Sequence, residues 1–356
     1  MRALTAFTPT PQAWDAFVAA HPQAHILQLP DWGALKSQFG WQSEIVALTD
    51  SPDADTIVAG AQILYRPLPL KLGTLAYVPK GPLAPADWWD APVHLAPLWG
   101  TIHRTAQKHG ARWLKVEAPD TPTNNGPSPK IMARALAQAG FAPSPQTIQP
   151  VRTVVIDLQD GADAVLARMK QKTRYNIRLS ARKDVTVRRG TLDDIASFNA
   201  MMAVTGARDA FGVHAPEYYR EAFARFAPQD RAALFIASYN GQDLAGIMVF
   251  ALGHTAWYFY GASTNEERNR MPTYAAQWAA IEWAMAKGCM QYDMWGVPDE
   301  DEATLEAQFA TRSDGLWGVY RTKRGWGGSV VRRMPAWDFP YHRPIYALYR
   351  LAMRLR

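Results

Sequence analysis

The chain has 356 residues, 48% of them hydrophobic, with 14 tryptophans, a single cysteine and a net charge of +6. Its length suggests about two domains at the usual ~100–200 residues each, and each half has apolar residues enough for its own core. Apolar runs fall far short of the roughly 18 residues that cross a bilayer, Met1-Arg2-Ala3-Leu4 has no signal-peptide core, and one cysteine excludes a disulfide framework or multi-cysteine metal site. A soluble, cytoplasmic chain with no metal and no cofactor is expected.

Pro11–Ala20 reads as a short amphipathic helix, and Asp31-Trp32-Gly33-Ala34-Leu35-Lys36 as the start of another with Asp31 as N-cap. Ser43–Leu48 and Thr56–Tyr65 read as strands. A turn near Pro67–Gly73 leads into Ala76-Tyr77-Val78-Pro79-Lys80-Gly81-Pro82, then a helix over Val93–His109 and a strand over Arg112–Glu117. A linker from Pro119 to Pro150 holds one helix, Ile131–Ala139. Beyond it come a strand over Val151–Leu158, a single long helix over Ala162–Lys183 and a helix from Asp193 to Val204 that leads towards Phe211. Leu234–Tyr239, Leu244–Leu252 and Thr255–Tyr260 are strands, the first two joined at the Asn240-Gly241 turn. Tyr274–Lys287 is a helix and Gln291–Trp295 a strand. The tail Ile345–Arg356 is a helix that sets Leu348, Leu351, Met353 and Leu355 among arginines; it either packs on the body or rests on an anionic membrane surface.

The two halves share this layout residue by residue. Trp99 and Trp278, Ile102 and Ile281, Lys108 and Lys287, Pro119 and Pro298, and Asp120 and Asp299 all stand 179 positions apart, which marks an internal duplication. Two copies side by side predict a cleft between them, with domains at residues 1–150 (joined by 329–356) and 151–328. Charge is uneven: residues 168–189 and 320–356 each carry nine Lys or Arg against one acid, so the remainder sums to −10. The stretch Tyr320-Arg321-Thr322-Lys323-Arg324-Gly325-Trp326-Gly327-Gly328 sets cations beside glycines and aromatic rings. That is either a site where backbone approaches a ligand and a cation meets a phosphate or oxyanion, or a basic hairpin whose glycines make the turn. Walker, G-x-G-x-x-G and G-x-S-x-G patterns are absent, and Cys289 reads as buried filler.

The repeated layout resembles the acyl-CoA N-acyltransferase (GNAT) fold, although the place of its pyrophosphate loop reads Arg268-Asn269-Arg270-Met271-Pro272-Thr273, without the glycines. Together the segments resemble the FemABX family of non-ribosomal peptidyl transferases. The resemblance rests on Gln28-x-x-x-Trp32-x-x-x-Lys36, Tyr77-Val78-Pro79-Lys80-Gly81-Pro82, Lys170-x-Lys172-Thr173-Arg174-Tyr175-Asn176-Ile177-Arg178 and Arg208-Asp209-x-Phe211 with Glu217-Tyr218-Tyr219. It continues through Tyr260-Gly261-Ala262-Ser263, Gln277-Trp278-x-x-Ile281, Tyr292-Asp293-Met294-Trp295-Gly296-Val297 and Tyr320-Arg321-x-Lys323-x-Gly325-x-Gly327-Gly328.

The resemblance implies an α/β (α+β) chain of two tandem GNAT-like domains without a coiled-coil arm. It implies transfer of an amino acid from aminoacyl-tRNA to the side-chain amine of the third stem-peptide residue of UDP-MurNAc-pentapeptide or lipid II. By the same resemblance Lys323 is the oxyanion-stabilising lysine, Lys36 and Arg208 hold the precursor pyrophosphate, Trp32 and Glu117 belong to the substrate-binding site, and Tyr258 or Tyr260 is the substrate-contacting tyrosine. A general base is Glu117 or Asp120, and Lys170, Lys172, Arg174 and Arg178 suit the tRNA acceptor end. A monomer working at the inner face of the membrane is expected. The competing readings are a GNAT-fold N-acyltransferase using another donor on a cell-envelope or polysaccharide amine, and a non-catalytic RNA-binding protein.

Overall fold

A computed structural model describes residues 4–51, 56–121, 126–209 and 212–354; Met1, Arg2, Ala3, Phe211, Leu355 and Arg356 of the sequence expectations lie outside them. The chain forms two compact units, Met1–Gln149 with Arg333–Arg356, and Pro150–Arg332.

In the first unit β1 (Thr5–Phe7) and α1 (Pro11–Ala20) precede α2 (Pro30–Gln38), β2 (Gln42–Thr49), β3 (Ala59–Pro67) and β4 (Thr74–Val78). α3 (Ala86–Asp90), α4 (Ala96–Lys108), β5 (Ala111–Val116), α5 (Pro129–Gln138) and β6 (Ala142–Pro143) follow. Helix starts obey local rules: the Thr10 and Ser128 hydroxyls cap α1 and α5 by accepting from Ala13 N at 3.1 Å and Ile131 N at 3.4 Å, with proline next. α2 departs from expectation. Leu29, not Asp31, is its N-cap, because Pro30 has no N–H to satisfy and a preset φ; Asp31 sits in the first turn, favourably placed on the helix dipole.

In the second unit β7 (Arg152–Asp157) leads to α6 (Gly161–Arg168), α7 (Gln171–Arg182), β8 (Thr186–Arg189), α8 (Ile195–Asp209) and α9 (Pro216–Phe226). Then come β9 (Ala232–Tyr239), β10 (Gln242–Leu252), β11 (Thr255–Ser263), α10 (Pro272–Ala286), β12 (Gln291–Gly296), α11 (Glu302–Gln308), α12 (Trp317–Lys323) and β13 (Ser329–Arg332). The expected single helix over 162–183 is two. Met169 and Lys170 are extended at the break, and Lys170 N donates to Gly325 O at 2.9 Å. The chain then returns to the first unit with β14 (Trp337–Pro340) and α13 (Arg343–Arg354). β13 pairs with β7, so the return begins at Arg333 rather than at 329.

The duplication is visible in the sheets. Their orders are β1-β2-β3-β4-β5-β14-β6 and β8-β9-β10-β11-β12-β7-β13, each antiparallel except for the pairs β4–β5 and β11–β12. Those two parallel pairs need crossovers, which α4 and α10 supply; they carry the matched tryptophans and isoleucines, and Ile102 and Ile281 are fully buried. Among the described residues the longest helices, α8 and α10, have 15 residues, so there is no coiled-coil arm, and no helix is long and apolar enough to cross a membrane.

Candidate active site

The second unit opens its sheet at one place. The parallel ladder between β11 and β12 runs only from Thr255–Gln291 to Trp257–Asp293, whereas β4 and β5 stay paired from Thr74 to Val78. A register shift at Met248/Val249 leaves Phe259 as the extra residue of β11. The bulge separates the two tyrosines between which the sequence left a choice. Tyr258 packs on the Lys323 side, its ring 5.6 Å from Lys323 Nζ, while Tyr260 packs among Tyr218, Tyr219 and Phe250. Phe259 meets Trp295 of β12 with ring centroids 4.4 Å apart.

Lys323 is the last residue of α12 and is 7% exposed. Its Nζ donates to Gly296 O at 2.8 Å. Burial lowers its pKa to about 7, against the opposing pull of Asp293, so near neutrality the group is divided between ammonium and amine. Asp293, 2% exposed, anchors this corner: one of its oxygens accepts from Trp295 N at 2.7 Å and from the Thr153 hydroxyl. Trp295 adopts φ 65°, which turns the chain so that the Gly296 carbonyl faces Lys323. The sequence reading gave Asp293 no role; the available signal was a lone acid at the centre of a strand with aromatic and apolar neighbours, Tyr292, Met294 and Trp295.

The glycines after Lys323 serve the chain itself. A Cβ on Gly327, at φ +78°, would lie 2.6 Å from the Arg168 carbonyl carbon, and one on Gly328 would lie 2.6 Å from Val155 O. They let this segment cross the α6–α7 break and enter the sheet as β13. The hairpin reading of the stretch does not hold, since Lys323 ends a helix and the tight neighbours of Gly327 and Gly328 are backbone of other segments. Gly261 is different: a Cβ there would lie 1.9 Å from the Tyr258 hydroxyl oxygen. Gly261→Ala should therefore displace the Tyr258 ring, lowering turnover about tenfold or more while costing about 1–2 kcal/mol of stability. Steady-state kinetics beside thermal melts check this.

Other expected residues fall into distinct roles. Lys170 and Arg324, one from each basic island, share Glu306, at 3.1 Å for Lys170 Nζ and 2.8 Å for Arg324 Nε. With Arg168, Glu302 and Tyr320 they line a cavity of roughly 320 Å³. Arg174 Nη1 donates to the Met169 carbonyl and to Ala167 O at 3.3 Å, closing the end of α6, while Lys172 and Arg178 are exposed on α7. Arg208 is held at 3.0 Å by both oxygens of Asp209, and its Nη1 reaches Ser263 Oγ and Asn265 Oδ1 at 3.2 Å. In the loop before α10 Arg270 stacks 3.4 Å over Tyr239 and bonds Lys183 O at 2.8 Å. Cys289 is buried and its thiol is pushed up to about 11 by that burial.

The first unit carries its own cation cluster. Lys36, in the last turn of α2, lies 5.7 Å from the Trp32 ring and 5.6 Å from the Trp41 ring, and Arg66 stacks on Trp41 at 5.5 Å. Burial and then Arg66 lower the Lys36 pKa to about 8. The two cations thus share the Trp41 ring. Glu117, 3% exposed, accepts from the Tyr77 hydroxyl at 2.5 Å and from Ile148 N and Gln149 N at 2.6 and 3.0 Å, so it ties the Pro119–Pro150 linker to the sheet. Asp120 pairs with Lys80 at 2.8 Å; burial would raise its carboxyl, but Arg333 and Lys80 overcome this and hold it well below the usual carboxylate range. Both acids serve structure here, and Asp120 is a poor proton acceptor.

Two seven-stranded sheets that share a five-strand run ending in a single parallel pair, parted in the second unit, define a tandem GNAT-like fold. A tandem GNAT protein from the clavulanic acid biosynthesis pathway superposes with a TM-score of 0.54 at 15% identity, covering 95% of this chain and 98% of that one. The crystal structure of FemX superposes far better, at a TM-score of 0.84 and 21% identity over 97% of this chain and 100% of that one. The chain belongs to the FemAB family, whose profile matches residues 10–243 and 238–354. Among curated relatives, the lipid II:glycine glycyltransferase of Staphylococcus saprophyticus is 25% identical over 407 residues, covering 95% of this chain and 94% of that protein.

Proposed function

We propose that the protein is a peptidoglycan aminoacyltransferase that moves an amino acid from aminoacyl-tRNA to the side-chain amine of the third stem-peptide residue of a lipid- or nucleotide-linked precursor. The observation that carries this is Lys323, a buried lysine with a pKa near 7 at the place where β11 and β12 part. Family membership and the relatives' name support it.

The amine attacks the ester carbonyl carbon, the carbonyl oxygen takes the negative charge, and the Lys323 ammonium meets that charge as it develops. Collapse forms the amide and expels the 3′-oxygen of the tRNA, which takes up the proton lost by the amine. Tyr258 walls the same corner. Lys36 with Arg66, and Arg208, would hold the precursor pyrophosphate; for Arg208 the phosphate competes with Asp209. Exposed Lys172 and Arg178 remain for tRNA phosphates, since Lys170 and Arg174 are engaged within the unit.

Lys36→Ala and Arg208→Ala are each expected to raise the precursor dissociation constant about tenfold, measured by calorimetry, with little change in melting temperature. The reaction itself is tested by mass spectrometry of purified protein with UDP-MurNAc-pentapeptide or lipid II and a verified charged-tRNA pool. A product heavier by one amino-acid residue identifies the donor; no shift with either acceptor would sink the proposal.

A further inference from the structure

The helix α13 has two faces. Inward, Tyr346 OH donates to Asp338 Oδ2 at 2.9 Å and Tyr349 stacks on Trp113 with centroids 4.7 Å apart. Outward, Pro344, Ala347, Leu348 and Leu351 are all exposed, at the i, i+3, i+4, i+7 spacing of a single helical stripe. Leu348 is 65% and Leu351 55% exposed. Exposed Arg343 and Arg350, one heptad apart, line one side of the stripe, and the helix contains no acid.

The start of this helix is tied to a second apolar protrusion of the same unit. The Arg112 carbonyl accepts from Tyr341 N and His342 N, both at 2.9 Å, and Arg112 Nε donates to Leu72 O at 2.6 Å. The loop between β3 and β4 is thus held beside α13, with Leu70 89% and Leu72 40% exposed around exposed Lys71. Both Leu70 and Lys71 take left-handed backbone angles, at φ 57° and 55°, a cost of the order of 1 kcal/mol each that a loop serving only as a turn would shed by using glycine. Lys108 is exposed at the end of α4, and the acid there, Glu44, is bonded to His109 at 2.6 Å.

We infer that this end of the first unit is a docking surface for an anionic lipid bilayer, with the α13 stripe and Leu70 entering the interface and Arg343, Arg350, Lys71 and Lys108 meeting headgroup phosphates. Charge selects this occupant: a second copy meeting the same face would set arginine against arginine, whereas a surface of phosphates complements every exposed charge flanking the stripe. The inference deepens the transferase reading and rests on it for its purpose, since a lipid-linked acceptor lies at such a surface.

Full-length protein sedimented with vesicles of phosphatidylglycerol and phosphatidylcholine should bind about tenfold or more tightly than with phosphatidylcholine alone. Leu348→Glu/Leu351→Glu should lower that binding at least about tenfold, and Arg343→Gln/Arg350→Gln several-fold with weaker salt dependence. These side chains are exposed, so unchanged melting curves are expected. No binding to the anionic vesicles, or binding unaffected by the paired Glu substitutions, overturns the inference. A solution dimer broken by those substitutions also overturns it, in favour of a second copy. Transfer to the water-soluble nucleotide-linked acceptor should be untouched by Leu348→Glu/Leu351→Glu, and that assay separates failure of docking from failure of the transferase reading.

Discussion

Lys323→Met should lower turnover by about 10²–10³-fold, with precursor binding and the circular-dichroism spectrum nearly unchanged. The cation meets charge that exists only in the transition state, so its loss falls on kcat rather than on KM. The pH dependence distinguishes the roles open to a lysine whose pKa burial has brought to about 7. As an ammonium that stabilises an oxyanion, it is active when protonated, so kcat at saturating acceptor should carry a limb that falls as pH rises through about 7. Lys323→Met should lack that limb. A limb rising through the same pH would make Lys323 a base and overturn the assignment. Asp293→Asn removes the charge that favours the ammonium and should move the limb to lower pH.

The same burial has a stability signature. From about 7, the folded value, up to the ordinary 10.5, the unfolded chain binds a proton that the folded chain has released. Stability relative to Lys323→Met should therefore rise with pH across that window and be flat below it. Denaturant titrations of both proteins at about pH 6, 8 and 10, one below the window and two inside it, read this directly; a constant difference would show that Lys323 is not desolvated in the folded protein.

The architecture was legible where a repeat or a local rule wrote it. Matches at one offset of 179 gave two copies, and the crossover helices and parallel pairs fall where the offset puts them. α1 spans Pro11–Ala20 as read, whereas α5 starts at Pro129 under its Ser128 cap, two residues ahead of the Ile131 start that the sequence suggested. What was not legible depends on chain brought from a distance. The split of 162–183 into α6 and α7 follows from Gly325 and Gly327 crossing there, which no feature of the helix sequence announces. Lys323 could be singled out by its family resemblance, but its partner carbonyl on Gly296 and the role of Asp293 depend on the positive φ of Trp295, an unusual angle for a bulky residue. The basic islands read as ligand surfaces, yet Lys170, Arg174 and Arg324 are spent on Glu306 and on carbonyls, because clustered cations also serve to satisfy buried or terminal acceptors.

Asp338→Ala should cost about 3–5 kcal/mol and lower the melting temperature more than any other substitution considered. Asp338 is fully buried, and its Oδ1 lies 2.9 Å from Nζ of Lys115, itself 1% exposed; this contact is ionic and not a well-aligned hydrogen bond. The other oxygen accepts from Ser144 Oγ at 2.6 Å and Tyr346 OH at 2.9 Å. Burial depresses the Lys115 pKa, with Asp338 opposing it, so removing the carboxylate leaves a desolvated amine hydrogen-bonded to Ser144 and the Gln146 carbonyl but without its paired charge. The pair also fixes register. Asp338 stands directly opposite Lys115 in the β14–β5 ladder, and a slip of β14 by one residue would turn Asp338 to the opposite face, away from Lys115. β14 reaches its place between β5 and β6 only after the whole second unit has intervened in sequence, so local turn geometry cannot set that register. The one acid among the last 37 residues of a basic tail is the residue that docks it. Lys115→Met with Asp338→Leu should recover most of the lost stability, because two apolar side chains leave no buried charge behind, and a double-mutant cycle by urea unfolding measures the coupling. If the single substitution costs under about 1 kcal/mol, the strand is seated by its apolar neighbours Trp337 and Phe339 instead.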